Sequence, residues 1–383
     1  MAKFILRRVI RGIIALLLFQ TLLFALVHAL PYDFSAFVLG SPQLRNFIQR
    51  QFDLDLPLWR QYVNWLFRFL RFDLGESYQH WPMSVTELLA SRLSKTLLLF
   101  LSATLLAYGI GIWLGKIIAW NRGSKLEFVV TLGGIAAYTS FAPWMGFLLI
   151  NVFGWYLDWL PYQRIVDHNV WAGASISVQT LLGYLVVTSA LACGALWLLR
   201  TVTRRIRSFK TRWGLRLVGM SIIALAVWGW WAQSGLSYLA KDILLHLTLP
   251  LTAVTLLSFG ETMMLMRTSM LETMGEKYVL LARAKGLSEK AIRDRHVARN
   301  AILPVLTRLM LNLPFVLVGS LAIERVFMWQ ALGQSIFDAI DYQDIPVLMG
   351  VLSIVGILVL VAHLVLDVLY VYLDPRVRHA QGG

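Results

Sequence analysis

Eight stretches of this chain are apolar enough to leave water. They run Ile13 to Leu30, Thr96 to Trp120, Phe128 to Phe153, Ile176 to Leu199, Leu217 to Trp231, His246 to Met266, Val305 to Ile323 and Val347 to Tyr372. Most reach the length that crosses about 30 Å of hydrocarbon as a helix. A backbone in lipid must satisfy its own polar groups, so segments of this kind fold as helices or close as barrels. The expected fold is accordingly an all-α polytopic membrane bundle of about eight spans. The 58% hydrophobic content and 15 tryptophans agree, the latter suiting interfacial aromatic belts.

A net charge of +14 raises the possibility of nucleic acid, but the basic residues form no single patch. They fall mostly in loops between apolar runs, and there they report topology. With the N-terminus inside, inner segments collect 24 of the 35 Lys/Arg, so both termini are expected on the cytoplasmic side. The N-terminal run resembles a signal peptide, with Val27-His28-Ala29 as a passable cleavage site. Its length favours a retained first span instead.

Enzyme chemistry finds little support. The seven histidines show no metal-ligand spacing, and no HExxH or paired-carboxylate motif occurs. Gly115-Lys116 lacks the remaining residues of a phosphate loop. Cys193 excludes an internal disulfide, and its expected role is that of a small buried apolar residue. An intramembrane transferase or a secondary transporter is therefore the alternative class.

The most informative stretch is polar. Tyr278 to Pro304, YVLLARAKGLSEKAIRDRHVARNAILP, reads as two short helices around a glycine corner. Lys277 to Lys285 forms the first, and Gly286 is its left-handed stop with Leu287 packing back. Ser288 caps the second, and Asn300 restarts the chain toward the membrane. Ala282, Ala284 and Gly286 keep one side shallow enough for another protein to approach, with Arg283, Lys285, Arg293 and Arg295 as charge contacts.

Tyr278, Ala282 to Leu287, His296, Arg299 to Ala301 and Pro304 together resemble the EAA coupling loop of ABC-importer permeases, in the dipeptide/oligopeptide/nickel branch. Asp73-Leu74-Gly75-Glu76-Ser77, the Glu324 to Phe327 stretch and the ending Leu366 to Arg376 resemble the same family. The resemblance implies a type I importer permease for peptides or a related solute. Nickel chelates, sugars or peptide-like antibiotics remain open. It implies ATPase-coupling roles for Tyr278, Ala282, Arg283, Ala284, Lys285, Gly286, Leu287, His296, Arg299, Asn300 and Pro304. It also implies a homologous permease partner, two ABC ATPase subunits that bind the ATP and Mg, and an extracytoplasmic solute-binding protein. The chain itself is expected to hold no cofactor, and the expected location is the bacterial or archaeal inner membrane.

The chain divides into four segments: a first span and long amphipathic outer loop (1–95), core spans two and three (96–162), an extra hairpin (163–241), and a core half carrying the coupling loop (242–383). A six-span family member lacks the hairpin. Its loop, Arg200 to Arg216, carries seven basic and no acidic residues, which either fixes topology or meets anionic lipid or a partner. Pro143 and Pro314 break spans near a path or simply kink them, and Glu261 is either a path residue or a local pair. Departures lie outside: Pro31-Tyr32-Asp33-Phe34, Ser94, and Gln330-Ala331-Leu332-Gly333 differ from the family pattern and leave the solute undetermined.

Overall fold

The computed structural model describes residues 2–29, 55–204, 208–318 and 320–373. Among them it is helical, with one isolated bridge between Glu76 and Ser84 and no strand. Six helices are long and apolar enough to cross a membrane, or seven if one bent pair counts as a single span. The remaining expected span, Val305 to Ile323, continues past the described side chains, so the count rests at six or seven. Pro31 to Phe34 and Asp374-Pro375-Arg376 lie outside the described residues, as do residues 205–207 of the basic loop.

Helix α1 (Ala2–Ala29) is followed by the amphipathic α2 (Leu58–Leu70). Tyr62 and Trp65 of α2 pack against Phe24 of α1, while Trp59 and Phe67 stay exposed. This amphipathic helix of the outer loop therefore lies along the chain's own first span. Helix α3 (Val85–Trp120) runs 36 residues through a π-turn at Leu97–Leu101. At 1.5 Å per residue it reaches about 54 Å, well beyond the hydrocarbon.

The third expected span is not one helix. α4 (Lys125–Thr139) and α5 (Ala142–Tyr156) meet at 108°. Pro143 sits in the first turn of α5, where its missing N–H costs nothing, so the chain turns at Ser140-Phe141 and not at the proline.

α6 (Val178–Thr203) and α7 (Phe209–Gln233) form the extra hairpin and pack chiefly on each other. Its basic loop is shorter than expected, because Arg200 and Arg216 lie on the helices, where Arg216 donates to Thr203 at 2.9 Å. No described side chain of α7 is buried. Cys193, expected to be buried, is exposed on α6, because α6 turns only its first two turns toward the core, through Leu181, Leu182 and Leu185.

The 38-residue α8 (Ser237–Met274) is the central column, packed against α3 and α4. Glycine lets these backbones touch. A Cβ on Gly111 would lie 2.9 Å from the Phe259 carbonyl oxygen, and one on Gly260 would enter that of Gly134. Gly111 and Gly115, four residues apart, thus form a small-residue contact face against α8, which matters in lipid, where apolar burial drives little association.

After α8 come α9 (Lys277–Ala284), α10 (Ala298–Val318), α11 (Leu321–Val326), α12 (Leu332–Asp341) and α13 (Ile345–Leu373). α13 returns beside α1. At the far end, Asp344 ties the Asp73 to Ser77 turn to the start of α13. It accepts from Ser77 Oγ at 2.5 Å, Gln79 N at 3.1 Å and Val347 N at 3.3 Å. Gly75 makes that turn at φ +83°.

Candidate functional site

The segment predicted to couple leaves α8 at Gly275 and begins α9 at Lys277. α9 stops where expected. Gly286 adopts φ +71°, its N–H reaches the Arg283 carbonyl at 2.9 Å, and the Leu287 N–H reaches that of Ala282 at 3.3 Å. These two bonds form a Schellman cap and satisfy carbonyls that a helix end leaves orphaned. Ser288 then accepts from Ala291 N at 3.4 Å and caps the next helix.

That second helix is not short. The turn Glu289–Ala291 passes through a π-turn, Ile292–Val297, directly into α10. Asn300 and Pro304 therefore lie within a continuous helix, and the chain does not restart at Asn300. Asn300 instead donates from Nδ2 to Tyr278 Oη at 2.8 Å, clasping α9 to α10. A π-turn widens the helix by one residue per turn and re-aims the helical turns beyond it, a feature frequent at functional positions.

The two faces of α9 divide the predicted residues differently from the expectation. Val279 and Ala282 are buried against Met266, Met270, Ile292 and Val297, so Ala282 packs inward and cannot meet a partner. The outward face carries Leu280, Leu281 and Ala284, continued by Leu287 beyond the cap. Leu280 and Leu281 are 58% and 56% exposed, an unusual placement for leucine on a polar segment. Gly286 is also exposed, and a Cβ there would meet nothing within 4 Å.

The basic residues separate as well. Arg283 is exposed beside Glu289 at 3.4 Å, and Lys285, Arg295 and Arg299 are exposed. Arg293 is half-buried and paired with Asp294, which also meets Lys116 of α3 at 3.1 Å. Hydrogen bonding from Arg293, with help from Lys116, pulls the Asp294 carboxyl down to about 2. Asp294 thus anchors the segment to the bundle through Lys116, with Arg293 holding its carboxylate. His296 is half-buried.

A second set of ties holds the neighbouring helix ends. Glu127 of α4 accepts from the Arg267 guanidinium of α8 and from Gly123 N at 2.6 Å. Glu261 accepts from Arg308 of α10 at 2.8 and 3.0 Å. Glu261 is therefore a partnered side chain joining α8 to α10. Pro314 lies within α10, with its side chain outside the described residues. The described residues hold no group of three or more His, Cys, Asp or Glu able to bind a metal. α9 is thus a short helix held by the Tyr278–Asn300 hydrogen bond on one side and by a buried apolar face on the other.

Residues 107–379 match the family model for binding-protein-dependent transport system inner membrane components, and residues 1–99 match the model for its N-terminal part. The chain belongs to that family. Among relatives of this permease is the dipeptide transport system permease protein DppB of Escherichia coli (strain K12), 28% identical with 99% of each chain covered. The oligopeptide transport system permease protein AppB of Bacillus subtilis (strain 168) is 27% identical over 99% of this chain and all of its own. The di/tripeptide transport system permease protein DppB of Pseudomonas aeruginosa is 28% identical, with 94% of this permease and 93% of the relative covered. As an inner membrane component of an ABC importer, the permease contributes membrane-spanning helices to a transport system. The extra hairpin α6–α7 lies inside the stretch that the family model spans.

Proposed function

We propose that this permease forms half of the translocation path of an ATP-driven importer of peptides, and that α9 seats in a partner ATPase. The exposed Leu280, Leu281, Ala284 and Leu287 beside a buried opposite face are the observation that supports the reading. An apolar stripe on a water-facing segment favours covering by another protein, because each buried leucine contributes about 1.5–3 kcal/mol. Arg283 and Lys285 flank it as orienting charges, worth under about 1 kcal/mol each while exposed.

In this reading the segment faces the cytoplasm, where ATP and Mg are bound by two ATPase subunits. A homologous permease completes the path and an extracytoplasmic binding protein delivers solute. In this reading both chain ends lie on the coupling side, a placement supported by the packing of α13 beside α1. ATP binding moves the ATPase subunits, and α9 transmits that displacement to α8 and α10 through Val279, Ala282 and the Tyr278–Asn300 clasp. The transport step is then a population shift between inward- and outward-facing bundles. Peptide as solute rests on the named transport activities of the relatives.

The test is crosslinking. In a Cys193→Ser background, Ala284→Cys should crosslink to a co-purifying ATPase subunit, in a manner that changes with ATP. Ala282→Cys, facing inward, should not. Equal labelling of both, or none of Ala284→Cys while the complex is intact, overturns the seating.

A further inference from the structure

Far from α9, a cavity of about 610 Å³ opens between the core and the start of the extra hairpin. Its polar lining is Lys95, Arg164, His168, Arg325, Gln330 and Gln334, with no carboxylate among the lining residues. Lys95 stands 21 residues before Lys116 on the same continuous helix, and Lys116 is the residue that meets Asp294 of the coupling segment. At 1.5 Å per residue that is about 32 Å, one hydrocarbon thickness. The cavity therefore lies at the membrane face opposite the coupling segment.

Two features show a built site. Arg164 and Met328 both line it and both hold left-handed backbone, at φ +65° and +50°. Arg164 N donates to the Phe327 carbonyl at 3.1 Å, which fixes one strained residue next to the other. Strain of this kind persists where surrounding structure enforces it, and it clusters at ligand sites. The second feature is uneven charge. Arg325 has Asp341 at 3.7 Å and lies over the Phe337 ring, whereas no carboxylate lies within ion-pair distance of Lys95 or Arg164 among the described residues.

We infer that this cavity is an entry site for the carboxylate of a small solute, held by Lys95 and Arg164 and bordered by the apolar Val178 and Met328. Its volume is that of a small-molecule pocket, and the few convergent polar groups fix orientation. Guanidinium and ammonium donors suit a carboxylate, since charge-assisted bonds are the strong ones. Arg164, His168 and Val178 belong to the 163–241 segment, so the extra hairpin completes a site that a six-span chain would leave open. The identity of the carboxylate bearer as a peptide rests on the proposed function; the site itself does not.

The experiment is calorimetric titration of the full-length chain in phosphatidylcholine nanodiscs with succinate, L-alanyl-L-alanine and alanyl-alanine amide. Both carboxylates should bind, the amide at least about tenfold more weakly, and Arg164→Gln and Lys95→Gln should each weaken binding by at least about tenfold. Arg164→Lys should restore part of the affinity, and Lys241→Gln, outside the cavity, should leave it unchanged. Succinate binding that depends on Arg164 without dipeptide binding supports the site and removes the peptide reading. No binding by either carboxylate, or wild-type affinity in both glutamine variants, overturns the site. Loss of binding when phosphatidylglycerol is added assigns the cavity to a lipid headgroup and overturns the solute.

Discussion

Tyr278 and Asn300 stand 22 residues apart, yet the Asn300 side-chain amide donates to the Tyr278 hydroxyl at 2.8 Å and closes the α9–α10 segment on itself. The bond is exposed, so its net contribution is about 1 kcal/mol or less. Its importance is geometric, because it fixes the angle between α9 and α10. Tyr278→Phe should leave thermal stability within about 1 kcal/mol of wild type. Amide exchange across residues 277–287 should quicken about fivefold, and solute-stimulated ATP hydrolysis should fall. Unchanged exchange in that variant would remove the clasp from the mechanism.

Gly286 offers a sharper test. Its backbone sits at φ +71°, where a side chain costs about 1–2 kcal/mol, although there is open space around it. Gly286→Val should unwind the end of α9 and uncouple ATP hydrolysis from transport, while Gly286→Asn, which tolerates the left-handed region, should retain most coupling. Because nothing in the chain would clash with the new Cβ, loss in both variants to the same degree would point to steric exclusion of the partner and not to backbone strain.

Much of this was legible in sequence, for physical reasons. The cap at Gly286 is local chemistry: glycine after a short helix, then leucine and a serine cap, leave few other conformations. The faces of α9 were not legible. An eight-residue helix with Val279, Leu280, Leu281 and Ala282 in succession has apolar groups all round, and only Met266, Met270 and Val297 decide which side is inside. The same holds for Asn300, whose partner is set by tertiary approach. Apolar runs likewise located the helices but not the 108° turn between α4 and α5, since both halves are equally hydrophobic. The cavity at Arg164 had no sequence signal, because its cations come from three separated segments.

Helix crossing at Gly260 predicts a strong asymmetry between glycines. A Cβ on Gly260 would be forced into the Gly134 backbone carbonyl, and backbone cannot rotate away. Gly260→Leu should therefore destabilise the bundle by about 1–3 kcal/mol or more, read as reduced thermal stability in detergent. Gly133, next to the crossing, has nothing within 4 Å, so Gly133→Leu should be nearly silent. Equal effects would show that α4 and α8 do not cross as described.

Glu324 predicts a pH dependence at the opposite end of the bundle. Its carboxyl is fully buried and accepts from Gly333 N at 3.3 Å and Gln334 N at 2.7 Å, holding the start of α12. Burial outweighs those bonds and raises the group from an ordinary 4.5 to about 7. The folded state thus binds the proton more tightly than the unfolded state does. Its stabilising contribution is complete below about 4.5 and is lost as pH rises through about 7, on the order of 3 kcal/mol. Protection of the Gly333 and Gln334 amides, corrected for intrinsic exchange, should therefore fall between pH 5 and 8. Glu324→Gln, neutral throughout, should flatten that profile, though it replaces one accepting oxygen with a donor and so begins from lower protection. Gly333→Ala should act on the same contact without a titrating change, because its Cβ would stand 2.9 Å from Glu324 Oε1. A wild-type profile that is flat from pH 5 to 8 would mean that Glu324 is already ionised in the folded chain, held by the α12 N–H groups more strongly than burial opposes it.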